Sequence, residues 1–424
     1  MTTTRTTTAL AALWLALWSA LTPTVTAGTG EMPLTFKGKT YSTRNLPGDL
    51  TVAQKEAVTR FTPFAEKAEY RMDFDAQGRL LLVTPKGRSR LSDTLRVVGK
   101  AETWFDTVLP APERKATTAA PKSEPTPKPS GAPIPEDPES PPKRSLARVP
   151  ATSLEETTWQ SSWGTGSIEP DTQTAVLVIP NSPEDYTSLL DLLAGERQYL
   201  KEWLDVARKH TGFTVEDPLT GAFVEGAAGQ EEWNADHEVI NRVVQLLTLR
   251  RFGQQPNWLV QGIAWEAEIA ADGLVYCFPF RREFVFAAEH GGWPAEAKNL
   301  VKELGGKPVE MSTLCAWRRG TWDGKTAKLA WGVARHLLGQ GAGRLSAAME
   351  ELRVLRDEKN RRSTGANSWE RIPNWEMPAD LLEPVLAARF GKDVLKDATT
   401  SIRTGRVTVI KEPKVQPRVG VKAR

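Results

Sequence analysis

The chain has 424 residues, room for two or three average domains or one large decorated domain. Apolar residues at 40% and charged residues at 25% are enough to bury an ordinary core, and a formal charge of only +3 argues against nucleic-acid binding, which concentrates positive charge. Two cysteines exclude a disulfide scaffold and a Cys-based zinc module, and four histidines (His210, His237, His290, His336) leave few ways to build a His-rich metal site.

Residues 1–27 read as a signal peptide. Arg5 supplies a short positive region, Ala9 to Leu21 is a 13-residue apolar run, and Val25-Thr26-Ala27 resembles a small-residue cleavage site. Thirteen helical residues would span about 20 Å, short of the roughly 30 Å hydrocarbon core of a bilayer. No cysteine follows the run as a lipoprotein would need, and no later segment is long and apolar enough to span a membrane. The expectation is an exported protein, periplasmic or extracellular, whose mature chain carries no transmembrane segment. Export would permit a Cys277–Cys315 disulfide, worth roughly 4 kcal/mol in the chain-entropy model. Two buried, unpaired thiols acting as small hydrophobes are the alternative.

Residues 33–109 read as an N-terminal α/β part. Thr51 to Lys67 is helix-like up to an interruption at Pro63. Tyr70–Phe74 and Arg79–Thr84 are strand-like and joined by Asp75-Ala76-Gln77-Gly78, a hairpin signal. Ser92 to Val108 follows with helical spacing, marked by Leu95, Val98, Glu102 and Phe105. Residues 110–150 then carry 12 prolines and almost no large apolar side chain, the composition of an extended spacer, insert or linker. Beyond it, Thr174–Ile179 is a short buried-strand candidate, Tyr186 to His210 a long helix, and Gly221–Val224 an edge strand. The rest is mostly helical to about Thr404, with breaks near Gly291–Pro294, Gly305–Pro308 and Arg371–Pro378. Residues 406–424 hold six basic residues and one acid and read as a solvated basic tail. The fold class expected is α+β, a small mixed sheet followed by a mostly helical C-terminal half.

One constellation carries chemistry. Asp236-His237-Glu238-Val239-Ile240-Asn241 opens a helix running to about Arg250, and Pro256-Asn257-Trp258-Leu259-Val260-Gln261-Gly262-Ile263-Ala264-Trp265 opens the next. Val239, Ile240, Val243, Leu246 and Leu247 form an apolar stripe, with His237, Asn241 and Thr248 on roughly the opposite side. His237 and Asn241 stand at i and i+4, so their side chains converge on one face.

This arrangement resembles the gluzincin metallopeptidases, most closely the exported peptidase MA-like bacterial families. Those carry H-E-x-x-H on one helix and P-x-W-L-x-E-G-x-A at the start of the next. In that resemblance His237 matches the first zinc ligand and Glu238 the general base. Pro256, Trp258, Leu259, Gly262 and Ala264 match the second segment, and the helix around Ala330-Trp331-Gly332-Val333-Ala334-Arg335-His336 looks like the family's downstream helix. The resemblance covers roughly 170–405 as a zincin-like domain, with residues 70–110 as an opening part, which would make the Pro-rich stretch an insertion within one domain. The second histidine position, however, is Asn241, and the position of the third ligand, a glutamate, is Gln261.

Neutral amides are weak zinc donors. Catalytic zinc takes imidazole nitrogen and usually a carboxylate, and without the metal an attacking water keeps a pKa of about 15.7 rather than about 7. Glu238 is then a vestigial base, His237, Asn241 and Gln261 are degenerate ligand positions, and no cofactor is expected. The function implied is a binding or scaffold module of the cell envelope, its partner a protein, peptide or envelope component. Two alternatives are an active metallopeptidase with atypical ligands, which would need zinc, and a glycan-acting cleft enzyme using paired carboxylates among Glu231, Glu232, Glu266 and Glu268. Glu268 shares a helical face with Gln261 but lies about 10 Å further along the axis, too far to complete a ligand set focused on Gln261. His290 in a loop is a remote candidate ligand, and His210 and His336 read as structural. The Trp residues at 233, 258, 265, 293, 317, 322 and 331 read as core packing rather than a groove lining.

Overall fold

The computed structural model describes residues 32–36, 39–43, 50–87, 90–114, 170–196, 201–225, 234–277, 291–316, 323–360, 362–365, 368–370, 372 and 375–407. The signal-peptide reading, most of the Pro-rich stretch and of the basic tail, Glu231, Glu232, His290, Trp233, Trp317 and Trp322 lie outside those residues.

The protein is mixed α+β. A small hairpin, β1 (Met32–Phe36) and β2 (Lys39–Thr43), leads to α1 (Val52–Lys67), β3 (Tyr70–Phe74), β4 (Leu80–Pro85) and α2 (Leu91–Val108). After the Pro-rich stretch come β5 (Ala175–Val178), α3 (Pro183–Glu196), α4 (Lys201–Ala207), β6 (Gly212–Glu216) and β7 (Leu219–Phe223). The helical half holds α5 (Ala235–Phe252), α6 (Asn257–Asp272), α7 (Trp293–Glu303), α8 (Met311–Cys315), α9 (Gly324–Leu338) and α10 (Ala342–Lys359). A short hairpin, β8 (Arg362–Gly365) and β9 (Ser368–Glu370), precedes α11 (Ala379–Phe390) and α12 (Val394–Thr404). Among the described residues no helix is long and apolar enough to cross a membrane.

The main sheet has the order β3-β4-β5-β7-β6, with β4, β5 and β7 parallel and the outer pairs antiparallel. Strand periodicity sorts its side chains into two cores. Leu81, Val83, Val176 and Val178 face α1, α3 and α4, meeting Phe61, Phe64, Leu189 and Leu193. Leu80, Leu82, Ala175 and Leu177 face the opposite layer, where α2, α5 and α6 begin a larger core reaching α12. Burial on both faces explains why β4 and β5 read as continuous apolar runs rather than alternating ones.

Several local expectations change. α1 continues through Pro63 to Lys67, because a capping box starts it (Gln54 N to Thr51 Oγ1 at 3.2 Å, Thr51 N to Gln54 Oε1 at 2.8 Å) and buried Phe61, Phe64 and Ala65 hold both sides of the proline. Of the helix expected from Tyr186 to His210, α3 and α4 are described, with Leu189, Leu193, Leu204 and Ala207 all in the same core, and residues 197–200 lie outside the described residues. Gly221–Val224 is not an edge strand: all but Val224 falls in β7, which lies between β5 and β6 and is buried along its whole length. The edge is β6, whose Phe213 and Val215 point inward.

α5 is central. Sixteen of its eighteen residues are buried, the polar ones included. It lies across β5, β6 and β7 and against α2 and α6. α6 in turn packs closely on α9: a Cβ on Gly262 would stand 2.6 Å from Ala334 Cβ and 2.9 Å from Ala330 O. Trp258, Leu259 and Ala264 are fully enclosed nearby. Trp265, Trp293 and Trp331 pack in one cluster, the first pair tilted and the second edge-on, with ring centroids 5.0 and 6.2 Å apart, so these rings are core.

Candidate functional site

α5 begins at Asn234, whose Oδ1 accepts the Asp236 backbone N–H at 3.0 Å. Asp236 sits in the first turn, where its charge suits the helix dipole, and pairs with Arg90 at 3.2 Å. One residue on, the side chain of His237 turns into the groove between α5 and α6.

The two helices run antiparallel through the short turn at 253–256, so residues early in α5 face residues late in α6. His237, Asn241 and Gln245 repeat every fourth position and span about 12 Å of one helix face. His237 Nδ1 lies 3.1 Å from Glu268 Oε2 and its Nε2 lies 2.8 Å from Asp272 Oδ2. Asn241 Nδ2 donates to Glu268 Oε1 at 2.7 Å. Gln245 Nε2 donates to Asn241 Oδ1 at 2.5 Å, and Gln261 Nε2 donates to Gln245 Oε1 at 3.0 Å. His237 and Asn241 thus meet on one carboxylate, while Gln261 reaches them only through Gln245.

Glu268 is the hub. Besides His237 and Asn241 it meets the backbone N–H groups of Tyr276 at 2.7 Å and Cys277 at 3.2 Å, both donated to Oε2. Glu268 lies seven residues beyond Gln261 on α6, and in an antiparallel pair that displacement brings it to His237 rather than away from the site. His237, with a carboxylate on each ring nitrogen, can donate both bonds only as imidazolium. Burial opposes that charge, but Glu268 and Asp272 together hold its pKa above the ordinary histidine value. The Tyr276 ring lies 4.5 Å from the imidazole, centroid to centroid.

Glu238 is buried beside this ladder. Its Oε2 is 3.4 Å from Arg242 Nη2 and has no hydrogen bond among the described residues. Burial pushes its pKa up, Arg242 pulls against that and the charge of Glu268 adds to it.

These residues do not fit a zinc ion of the gluzincin kind. Both imidazole nitrogens of His237 face carboxylates, and the Asn241 and Gln261 side chains are spent on Glu268 and Gln245. Among the described residues no group of three or more His, Cys, Asp or Glu side chains is arranged to hold a metal ion. The paired-carboxylate reading finds little here either. Glu266 faces α9, accepting Trp331 Nε1 at 2.8 Å with Arg335 at 3.8 Å, and Glu268 is taken up by its four donors. His336 is buried in α9 with Nε2 3.3 Å from Gln340 Nε2, and His210 follows α4. Cys277 and Cys315 are both free thiols, so the permitted bridge does not form.

Reasoning on sequence missed Gln245, Asp272 and the 276–277 backbone. The signal for Gln245 was present: His237, Asn241 and Gln245 are spaced by four within an otherwise apolar helix. No protein-family model matches the chain, and no curated protein matches it.

Proposed function

We propose that the protein is an exported, gluzincin-like scaffold that has lost zinc peptidase chemistry and serves as a binding or scaffold module in the cell envelope. The observation that carries this reading is the ladder between α5 and α6, in which His237 and Asn241 are bonded to Glu268, His237 also to Asp272, and Gln261 to Gln245, so that the three ligand positions do not share one point. The antiparallel helix pair and the close α6–α9 packing at Gly262 support the scaffold half of the reading. In this reading Glu238 is a vestigial general base, and the module's partner is a protein, peptide or envelope component.

Metal analysis of the purified protein is the test. The expected result is substoichiometric zinc and no peptide hydrolysis, with Asn241→His plus Gln261→Glu acquiring measurable zinc affinity. Near-stoichiometric zinc in the parent, lost together with a hydrolytic activity on His237→Ala, would establish the active-metallopeptidase alternative. A folded double variant with no gain in zinc affinity would remove the gluzincin assignment.

A further inference from the structure

The chain leaves the described fold after Arg114 and rejoins it at Pro170, and the two points are held together. Arg114 Nη1 lies 3.2 Å from Asp171 Oδ2, Nη2 donates to Arg251 O at 2.6 Å, and Nε is 3.5 Å from Glu350 Oε2. Asp171 is gripped from its other side by Arg250, whose Nη1 meets Oδ1 at 2.9 Å and whose Nη2 donates to the Asp171 carbonyl at 2.6 Å. The Asp171 backbone N–H returns a bond to Arg250 O at 2.9 Å. Asp171 holds a φ of 63°, the left-handed region that Asp tolerates better than most residues.

Deeper contacts repeat the pattern. Arg251 bonds Asp106 at 2.7 Å and the Leu109 carbonyl at 2.5 Å, and its guanidinium covers the Phe105 ring at 4.8 Å. β4, from before the excursion, pairs with β5, from after it, through Leu80–Ala175 to Val83–Val178. Both cores draw on both sides: Phe61 and Phe74 meet Leu189 and Phe213, and Trp104 and Phe105 share a core with Val243 and Leu247. Neither side has a complete core without the other.

We infer that the parts flanking residues 115–169 form one folded unit that does not depend on the covalent connection between them, so that a backbone break in that stretch leaves a two-chain protein that stays assembled. The covalent link contributes local concentration, while the shared sheet, the shared cores and the Arg114–Asp171–Arg250 clasp supply the association. The inference stands independently of any enzymatic ancestry.

The test uses the full chain with the recognition sequence of a site-specific protease inserted between Gly131 and Ala132. Cleavage hydrolyses one amide bond, consuming one water and leaving a new carboxylate and a new amine. The two fragments are expected to co-elute on size exclusion at about 1 µM, with unchanged circular dichroism and a melting temperature that now depends on concentration. Separate elution, or loss of the helical signal on cleavage, would overturn the inference. Arg114→Ala with Asp171→Ala examines the clasp: the uncut variant should stay folded, and the cut one should dissociate about tenfold more readily than the cut parent. Equal affinity of the two cut proteins would remove the clasp from the account.

Discussion

Glu268 Oε1 accepts the side-chain amide of Asn241 at 2.7 Å while Oε2 faces the imidazole of His237, so one carboxylate near the end of α6 ties down two successive turns of α5. A carboxylate at this depth needs several donors, and Glu268 has the Asn241 amide, the Tyr276 and Cys277 backbone N–H groups and the His237 ring around it. Glu268→Ala is therefore expected to cost on the order of 3–5 kcal/mol, since it strands His237, Asn241 and two backbone N–H groups at once. Asn241→Ala should cost less, about 1–3 kcal/mol, and the two should couple by about 0.5–3 kcal/mol in a double-mutant cycle. Denaturant unfolding of the four proteins measures this. Additive losses would mean that the ladder is not one unit.

The α6–α9 contact offers a sharper steric comparison. At Gly262 an added methyl would meet Ala334 Cβ at 2.6 Å and the Ala330 carbonyl at 2.9 Å, neither of which can swing aside. At Gly332 the obstacle is the Ile402 side chain, at 2.6 Å to Cγ1 and 2.7 Å to Cδ1, which can change rotamer. Gly262→Ala is thus expected to destabilise by about 2–3 kcal/mol and Gly332→Ala by clearly less. Thermal melts of the two variants decide the order, and the reverse ranking would contradict the packing described.

This comparison also shows what could be read in advance. The Trp258-Leu259-x-x-Gly262-x-Ala264 segment was conspicuous for reasons that turn out to be steric: large rings and a missing Cβ are what a close crossing of α6 over α9 requires. The placement of α5 and α6 followed from the apolar stripe of Val239, Ile240, Val243, Leu246 and Leu247 and from the segment that opens at Pro256. The bonding inside their interface did not, because partner choice depends on how two antiparallel helices slide past each other, which neither helix encodes alone. β6 was missed for a related reason: Gly-Phe-Thr-Val-Glu is a strand only because β7 lies beside it. Thr59 and Thr62, which bond carbonyls four residues back, likewise gave no hint that α1 would run on past Pro63.

A pH dependence is expected at Glu102 on α2. Burial, then the nearby Asp75, raises its pKa to about 8 against the opposing pull of Arg79, which lies 3.1 Å away. The folded state therefore keeps a proton that the unfolded chain releases at ordinary carboxylate pH. Stability from this group is fully present below the unfolded value and is lost as pH rises through about 8. Glu102→Gln should remove the loss, gaining on the order of a few kcal/mol relative to the parent at about pH 9 and much less at about pH 5. Urea midpoints of both proteins at the two pH values give the comparison. A constant difference between them would place the charge of Glu102 elsewhere.

The two thiols provide a chemical probe of the same interior. Cys277 is buried beside Glu238 and Glu268, and burial with those two charges pushes its pKa far up; its backbone N–H is committed to Glu268 and its carbonyl accepts Trp265 Nε1 at 2.8 Å. Cys315, on α8, is pushed up to about 12 by burial and by the charges of Glu376 and Glu383. Only thiolate alkylates at useful rates, so both should react with iodoacetamide at pH near 8 at least about a hundredfold more slowly than a free cysteine with pKa about 8.5. Because both are unpaired, two equivalents should be modified once the chain is unfolded without reductant. Mass spectrometry of protein alkylated before and after denaturation reads both quantities. Rapid labelling of Cys277 in the folded protein would mean that the Glu238–Glu268 pocket is open to solvent, and a chain that takes up label only after reduction would mean that the bridge exists.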